Sequence, residues 1–284
     1  MTATDGVIGV GDLPSQPTDT PLFRAGPPPV FPLFDVHVNA MPVGDGQAFY
    51  RVQSFEEAAR EAPGAANLSP AAAPAYAEPN AAVLRWTSQA GGAFRAVMRL
   101  GGRRVPSPWR SRYRMGRAVR LRGAPAPDLA ALLEYAAVKL MPHADGLPGP
   151  ETLERIGAAG IPILIHAGAN CPVAWVERHV MAHTDGPVIL AHMGAWPCAM
   201  EELEAAVALA KREPRVHLET SGVWIGNFLT YAAAHVPEQI LFGSNAPMCA
   251  PSVQWEHVAS AVRDDRVLEG IAHLNAERLF GGRA

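Results

Sequence analysis

Three histidines, His37, His166 and His192, each stand at the end of a short apolar segment. Imidazole titrates near neutral pH, so side chains of this kind can accept and donate protons or bind a metal ion. Lys139 and Glu219 end similar segments, and they add an amine that can hold a carboxylate and a carboxylate that accepts hydrogen bonds. These residue types predict a catalytic or binding site, provided that the fold brings the segment ends together.

The spacing of these residues indicates how the fold does so. The polar residues that end the segments are Lys139, His166, His192, Glu219 and Asn245, at intervals of 27, 26, 27 and 26 residues. A strand, a helix and two short loops occupy about that length, so the spacing predicts consecutive βα units. We predict strands at residues 138–140, 163–166, 188–192, 216–219 and 240–245, and helices at residues 150–159, 172–183, 197–211 and 227–235.

Parallel strands that alternate with helices form either a closed barrel or an open doubly wound sheet. No Gly-rich phosphate loop follows the first strand-like segment, residues 33–39, which favours the barrel. We therefore predict an α/β fold, a single (β/α)8 TIM barrel over residues 30–284, preceded by an extended Pro- and Gly-rich arm over residues 1–29. The carboxyl ends of all strands would then share one mouth.

The second and third strands are harder to place between the first and fourth. Residues 94–100 and 116–121 are the candidates for them, with an insertion elsewhere between strands 1 and 4. Residues 53–92 are rich in Ala and Pro, and we expect them to form a helical excursion over one barrel mouth.

Composition narrows the class of protein. The 284 residues are 49% hydrophobic and 18% charged with a net charge of −3, which is typical of one globular domain. Residues 95–122 are rich in Arg and contain no acidic residue; they form either a solvated loop or a site for an anionic substrate, and nucleic acid is not an expected partner. The chain shows neither a signal-peptide pattern nor a membrane span, so we expect a cytoplasmic protein that does not bind membranes.

Six ordered motifs resemble the amidohydrolase superfamily, in the amidohydrolase 2 branch of pyrone dicarboxylate hydrolases and aminocarboxymuconate semialdehyde and resorcylate decarboxylases. They are FDVHVN at 34–39, VKLMP at 138–142, PILIHAG at 162–168, ILAHMG at 189–194, LETSG at 218–222 and FGSNAP at 242–247. The segment NAERLF at 275–280 is similar to the last helix of the family, and the resemblance spans roughly residues 33–282.

The resemblance implies a role for each matching position. His37 and residue 39 would be paired metal ligands, His166 a further ligand or substrate contact, and His192 the group that polarises the substrate or the attacking water. Residue 245 would be a carboxylate that binds metal and shuttles a proton. The family pattern has histidine at 39 and aspartate at 245, whereas this chain has Asn39 and Asn245.

Two carboxamides weaken ligation and remove a proton relay, because an amide is neutral and is not a general base near neutral pH. The expected cofactor is therefore none, or one weakly bound zinc or manganese ion on His37 and His166. Catalysis would rest on His192, His166 and Asn245, with Lys139, Asn39, Trp196, Trp224 and Glu219 around the substrate. Glu219 is alternatively a structural ion-pair partner.

Trp196, Trp224 and Trp255 are expected in loops just after the sixth, seventh and eighth predicted strands. They either wall a pocket for a planar substrate or close the barrel top without binding anything. Cys171, Cys198 and Cys249 follow the fifth, sixth and eighth predicted strands, within six residues of the strand ends. They are either small buried residues or thiols that bind a soft metal or act as nucleophiles.

Three hypotheses about function follow. The first is an enzyme that hydrolyses or decarboxylates a small, carboxylated cyclic compound with His192 as acid or base, without a metal. The second is an inactive barrel that binds a ligand or regulates, and the third keeps a weakly held metal. The family resemblance and the proline-rich arm also make a homodimer plausible.

Overall fold

Eight strands follow one another in sequence order in one parallel sheet, in a computed structural model that describes residues 31–40, 53–73, 75–102 and 128–281. They are β1 (Leu33–Ala40), β2 (Gly64–Pro70), β3 (Phe94–Leu100), β4 (Ala137–Leu140), β5 (Ile163–Gly168), β6 (Val188–Trp196), β7 (Val216–Glu219) and β8 (Ile240–Leu241). Three backbone hydrogen bonds join the last strand region to the first: Val36 N–H donates to Phe242 O at 3.0 Å, Asn39 N–H to Ala246 O at 2.8 Å, and Asn245 N–H to His37 O at 2.8 Å. The predicted (β/α)8 barrel is confirmed.

Helices surround the barrel. They are α1 (Phe55–Glu61), α2 (Ala77–Ala90), α3 (Leu129–Leu133), α4 (Pro142–Asp145), α5 (Pro150–Ala158), α6 (Val173–His179), α7 (Met200–Arg212), α8 (Gly226–His235), α9 (Pro251–Ala261), α10 (Asp265–Glu269) and α11 (Asn275–Phe280). The four helices predicted from the sequence correspond to α5, α6 with a 3-10 turn at Met181–His183, α7 and α8. None of the helices in the described part of the chain is long and apolar enough to cross a membrane.

The second strand lies where the sequence analysis placed only helix. Residues 53–92 contain α1 and α2, but β2 runs between them and pairs with both β1 and β3. Residues 94–100 are accordingly the third strand. The segment of β2 consists mostly of small residues, with Leu68 as its one large apolar side chain, so its alternation of apolar and polar residues is too faint to indicate a strand.

Some expectations fall outside the described residues. These are the N-terminal arm over residues 1–29, the candidate strand over residues 116–121 and the Arg-rich stretch beyond residue 102. Within the described part of the chain, β3 pairs directly with β4, so the barrel is continuous between the third and fourth strands.

The interior of the barrel is apolar along most of its length. Buried side chains from β1 to β8 fill it, together with two from α11: Phe34, Val36, Val97, Ala137, Leu164, Ile189, Leu241, Ala276 and Phe280. The rings of Phe34 and Phe280 lie 5.6 Å apart between centroids and close the end of the barrel at which the strands begin. The site residues predicted from the sequence lie at the opposite end, the mouth where the strands finish.

Asp35 is a buried carboxylate that joins β1 to the segment after β8. Ser244 donates to it twice, from Oγ to Oδ2 at 2.6 Å and from the backbone N–H to Oδ1 at 3.0 Å, and His37 N–H donates to Oδ1 at 3.1 Å. Burial raises the pKa of Asp35 to about 7, although the bonds from Ser244 and His37 act in the other direction. A carboxyl group that ionises only near pH 7 makes the fold pH-sensitive.

We predict that Asp35→Asn reduces the loss of stability between pH 5 and pH 8. A folded-state pKa raised above the unfolded value gives stability that is full at low pH and is lost as the pH rises through about 7. Asn keeps an acceptor oxygen and never ionises. The free energy of unfolding of wild type should therefore fall, relative to that of the variant, by on the order of 2 kcal/mol from pH 5 to pH 8. Urea unfolding at both pH values measures it.

The exposed Asp265 provides the control, since Asp265→Asn should leave the pH dependence of wild type unchanged. Parallel stability curves for wild type and Asp35→Asn would contradict the assignment.

Candidate active site

Five of the predicted site residues meet at the mouth and are almost fully enclosed. The exposed fractions are 3% for His37, 4% for Lys139, 7% for His166, 3% for His192 and 0% for Glu219. The ring centroids of His37 and His192 lie 5.7 Å apart, and those of His166 and His192 lie 5.0 Å apart. The three imidazoles therefore share one site, as the spacing of the strand ends predicts.

The carboxylate of Glu219 is the common acceptor of the site. Its Oε2 atom accepts from His37 Nδ1 at 3.0 Å, from the backbone N–H of His192 at 3.2 Å and from Ser221 Oγ at 2.8 Å. Its Oε1 atom accepts from Ser221 N–H at 2.5 Å. Burial raises the pKa of Glu219, and the nearby His192 and the bonds from Ser221 and His192 oppose that shift. With donors on both oxygens, the ionised form fits the site.

Two glycines make room for this arrangement. A Cβ atom at Gly243 would come within 2.1 Å of Glu219 Oε1, so the carboxylate lies where any other residue would place its side chain. Gly222 has a φ of +66°, and a Cβ there would lie 2.7 Å from Cζ3 of Trp196. Both positions need glycine for close approach.

The bond to Glu219 fixes the role of His37. Burial, followed by the neighbouring charges of Lys139 and Arg99, holds the pKa of His37 well below its usual value, so the ring is neutral. Its Nδ1–H donates to Glu219, which leaves Nε2 as an acceptor. Lys139 Nζ fills that position at 2.8 Å.

The amino group of Lys139 is surrounded by acceptors. Besides His37 Nε2, it donates to Asn39 Oδ1 at 2.5 Å and to Ser69 Oγ at 3.4 Å. Burial and the nearby Arg99 lower the pKa of Lys139 well below its usual value, and the carboxylates Glu219 and Asp145 act in the other direction. The Nζ atom therefore has three protein contacts, to His37, Asn39 and Ser69.

The two asparagines that depart from the family pattern bind each other. Asn39 Nδ2 donates to Asn245 Oδ1 at 2.7 Å and to Ala246 O at 3.2 Å. The orientation of the Asn39 amide is determined by its neighbours, because its oxygen faces Lys139 and its nitrogen faces a backbone carbonyl. Asn245 Nδ2 is left with a weak contact to the Met248 sulfur at 3.6 Å.

His192 is held in one tautomer and in an uncommon backbone conformation. Its Nδ1 atom lies 2.9 Å from the carbonyl oxygen of Ser221 and 3.0 Å from Ser221 Oγ, so Nδ1 carries the proton and Nε2 is an acceptor. Burial lowers the pKa of His192 to about 4. The φ angles of His192, Met193 and Asn245 are 59°, 51° and 57°, in the left-handed region that non-glycine residues rarely adopt and that is often associated with function.

His166 lies among aromatic rings rather than polar partners. Its ring centroid is 4.3 Å from that of His143 and 6.2 Å from that of Trp196. Among the described residues nothing hydrogen-bonds its buried Nε2 atom. Burial, and then the nearby His192, lowers the pKa of His166 well below its usual value. A buried nitrogen of this kind is available to a bound molecule.

Arg99 is a further charged residue of the site, and the sequence analysis named it only as part of an Arg-rich stretch. It is paired with Lys139 in the β3–β4 register and is 2% exposed. Its Nε donates to Asp145 Oδ2 at 2.8 Å and its Nη1 to Pro70 O at 3.3 Å, while Nη2 has no partner among the described residues. The free donor of this guanidinium suits an anionic group.

The sequence analysis also missed Ser221, Ser69 and His143. Ser221 connects Glu219 to His192, Ser69 contacts Lys139, and His143 stacks on His166. Ser221 lies two residues after Glu219, and this short spacing was its only signal in the sequence.

The three tryptophans lie in different places: one at the site, one at the surface and one in the core. Trp196 is the last residue of β6 rather than a loop residue, and its ring lies 4.8 Å from that of His192. Trp224 is 51% exposed. Trp255 is in α9, not in a loop, and packs edge-on against Phe242 at 5.6 Å between centroids, so it is a core residue.

A divalent metal ion is the cofactor that the family resemblance implies, and the donor set does not fit one. Across the described ranges, no three or more His, Cys, Asp or Glu side chains are arranged to hold a metal ion. His37 Nε2 is bonded to Lys139, the amide groups of Asn39 and Asn245 are bonded to each other, and His192 Nδ1 is bonded to Ser221. Neutral amides beside a lysine amino group are poor ligands for zinc or manganese.

We predict that Glu219→Gln destabilises the protein by about 3 kcal/mol, because the Gln amide nitrogen must face N–H or O–H donors at either oxygen position. Urea unfolding at pH 7 measures the loss. The exposed Glu238 supplies the matched control, since Glu238→Gln should change stability by less than about 0.5 kcal/mol. Equal effects of the two substitutions would show that Glu219 is not the acceptor described.

We also predict that one of the three thiols reacts rapidly with a thiol reagent in the native protein. Cys198 is exposed, whereas Cys171 and Cys249 are buried, and burial raises the pKa of both buried thiols. Counting modified thiols in wild type and in Cys198→Ala checks this, and the variant should react only after unfolding. Rapid modification of Cys171 or Cys249 would support the nucleophile hypothesis instead.

Comparison with known proteins agrees with the barrel and its motifs. A protein of Pseudomonas putida assigned as a 2-pyrone-4,6-dicarboxylic acid hydrolase is 15% identical with a TM-score of 0.66, and the match covers 89% of this chain and 99% of that one. The 5-carboxyvanillate decarboxylase of Sphingomonas paucimobilis is 14% identical (TM-score 0.59; 88% and 99% covered), and the 2,6-dihydroxybenzoate decarboxylase of Rhizobium is 13% identical (TM-score 0.59; 90% and 100% covered). No curated protein sequence matches the chain.

At these identities the likeness to solved structures shows the fold alone. The sequence model of the amidohydrolase family Amidohydro_2 matches residues 34–282, which is most of the chain and includes every strand of the barrel. The chain belongs to the amidohydrolase family.

Proposed function

We propose that this protein is an enzyme that hydrolyses a small, carboxylated cyclic ester, such as a lactone or pyrone, without a metal ion and with His192 as the general base. The observation that carries the proposal is the tautomer of His192. Its Nδ1–H is bound to Ser221, so Nε2 is unprotonated and able to accept a proton from water.

The low pKa of His192 determines which reaction fits the site better. With a pKa of about 4, the ring stays neutral at physiological pH, so Nε2 is free to accept a proton from water, as a weaker base than an imidazole with the usual pKa. Decarboxylation of an aromatic acid requires instead that a proton be delivered to a ring carbon, and the unprotonated Nε2 has none to give. Hydrolysis is therefore the first candidate, and decarboxylation remains the alternative suggested by the names of the structural relatives.

Three other groups can stabilise the oxyanion or bind the substrate. Asn245 Nδ2, whose partner among the described residues is a thioether, can donate to the oxyanion that develops when water attacks the carbonyl carbon. Arg99 Nη2 and His166 Nε2 are buried without partners in the described part of the chain, and they can bind the carboxylate of the substrate. Lys139, Asn39 and Glu219 hold this framework, and Trp196 covers His192.

The steps balance without a cofactor. Water attacks the ring carbonyl while His192 Nε2 takes one of its protons. The ring C–O bond then breaks, and the imidazolium returns the proton to the leaving oxygen. A lactone thereby gives an open-chain hydroxy acid, and a pyrone gives an enol that tautomerises to a keto acid.

We predict that His192→Ala lowers kcat/KM by 10²–10⁴-fold, which is the usual contribution of a general base. The assay screens carboxylated lactones, pyrones and hydroxybenzoates, with product analysis to separate ring opening from release of CO2. The rate should fall as the pH drops through about 4, where His192 becomes protonated, and a chelator should not change it. The exposed His235 gives the control His235→Ala.

Three results would overturn the proposal. Full turnover in His192→Ala removes the general base, CO2 as the product replaces hydrolysis by decarboxylation, and binding of these compounds without turnover supports a ligand-binding barrel.

A further inference from the structure

Two side-chain atoms of β1 converge on one point. His37 Nε2 and Asn39 Oδ1 lie 2.8 Å and 2.5 Å from Lys139 Nζ, which reaches the mouth from β4. His37 and residue 39 are the positions at which the family resemblance places the paired first-strand metal ligands. The amino group of Lys139 thus sits where two potential ligands point.

We propose that the amino group of Lys139 occupies the metal position of the barrel and excludes a divalent ion by holding His37 Nε2 and Asn39 Oδ1 itself. The side chain is a built-in replacement for the metal ion.

Three features of the geometry support this proposal. A metal ion needs the lone pair of His37 Nε2, and that lone pair is taken by Lys139 while Nδ1 is bound to Glu219. The Asn39 oxygen faces the same amino group, and Ser69 Oγ completes a set of acceptors around it. Lys139 is 4% exposed, and its neighbours β3 and β5 enclose it in the sheet, so it has little room to move aside.

Two separate effects oppose metal binding at this site. The asparagines at 39 and 245 weaken the ligand set, and Lys139 blocks the point that the ligands would share. If Lys139 is the stronger obstacle, restoring the family ligands with Asn39→His and Asn245→Asp is not enough to recover a metal. This expectation concerns occupancy and not turnover, so it can be tested whatever reaction the protein catalyses.

The experiment compares four full-length proteins and uses Co²⁺ as the probe. They are wild type, the Asn39→His/Asn245→Asp double variant, Lys139→Met, and the triple variant that combines all three substitutions. Met keeps most of the lysine stem but ends one atom short of Nζ, so it preserves packing and vacates the proposed position. Equilibrium dialysis gives the affinity, and visible d–d absorption reports coordination of the bound ion.

We expect the triple variant to bind one Co²⁺ at least roughly 100-fold more tightly than the double variant, because a nearby amino group and a divalent ion exclude each other. Replacing Lys139→Met by Lys139→Arg in the triple background keeps a bulky basic group at the site and should abolish the gain. Wild type should not bind Co²⁺ above the level of a His37→Ala control.

Two outcomes would overturn the proposal. One is a folded triple variant that binds Co²⁺ no more tightly than the double variant. The other is a stoichiometric Co²⁺ site in wild type that His37→Ala removes. If the triple variant does not fold, the comparison of Lys139→Met with wild type decides, since the single substitution should by itself produce His37-dependent Co²⁺ binding.

Discussion

The buried carboxylate of Glu219 is the interaction on which the rest of the site depends. It accepts hydrogen bonds from β1, from β6 and from the turn after β7, so it connects elements that are far apart in sequence. Because Glu219 accepts a hydrogen bond from Nδ1–H of His37, Nε2 of that ring is an acceptor. Lys139 Nζ binds to this acceptor. By accepting a hydrogen bond from Ser221 Oγ, Glu219 also positions Ser221, whose carbonyl oxygen accepts a hydrogen bond from Nδ1 of His192. Both tautomers therefore follow from one carboxylate.

In the described part of the chain, the buried basic and acidic side chains around Glu219 are equal in number. Lys139 and Arg99 are buried basic side chains, and Glu219 and Asp145 are the buried acidic side chains near them, with Arg99 and Asp145 in direct contact at 2.8 Å. A buried charge is tolerated only when it is paired and hydrogen-bonded. Adding a divalent ion to this set would leave an excess of positive charge in an enclosed site, whereas removing the amino group of Lys139 makes room for it. Asp35, the further buried carboxyl group of β1, has no cation beside it among the described residues, in keeping with its raised pKa.

The sequence predicts the second half of the barrel well because β4 to β8 each combine an apolar run with one polar residue at a regular interval. It fails for β2, whose small residues carry almost no periodic signal, although Asn67 and Ser69 alternate with Ala66 and Leu68 there. Because His37, Lys139 and Glu219 each lie at a strand end, the sequence predicts that they meet. Which atoms bond to which depends on side-chain directions and on close approach at Gly243, and neither can be read from spacing.

Backbone strain is concentrated at the mouth of the barrel. His192, Met193 and Asn245 all have left-handed φ angles, each of which costs on the order of 1 kcal/mol or more and persists only where the surrounding structure enforces it. Asn and His are among the residues that tolerate this region best, so an asparagine at 245 keeps the turn after β8 while giving up the carboxylate. The strained turn directs the Asn245 amide toward Asn39 and leaves its Nδ2 atom without a strong partner. The strained turns therefore lie beside the side chains of the site that keep free hydrogen-bonding capacity, so the same backbone that shapes the mouth also presents those side chains to it.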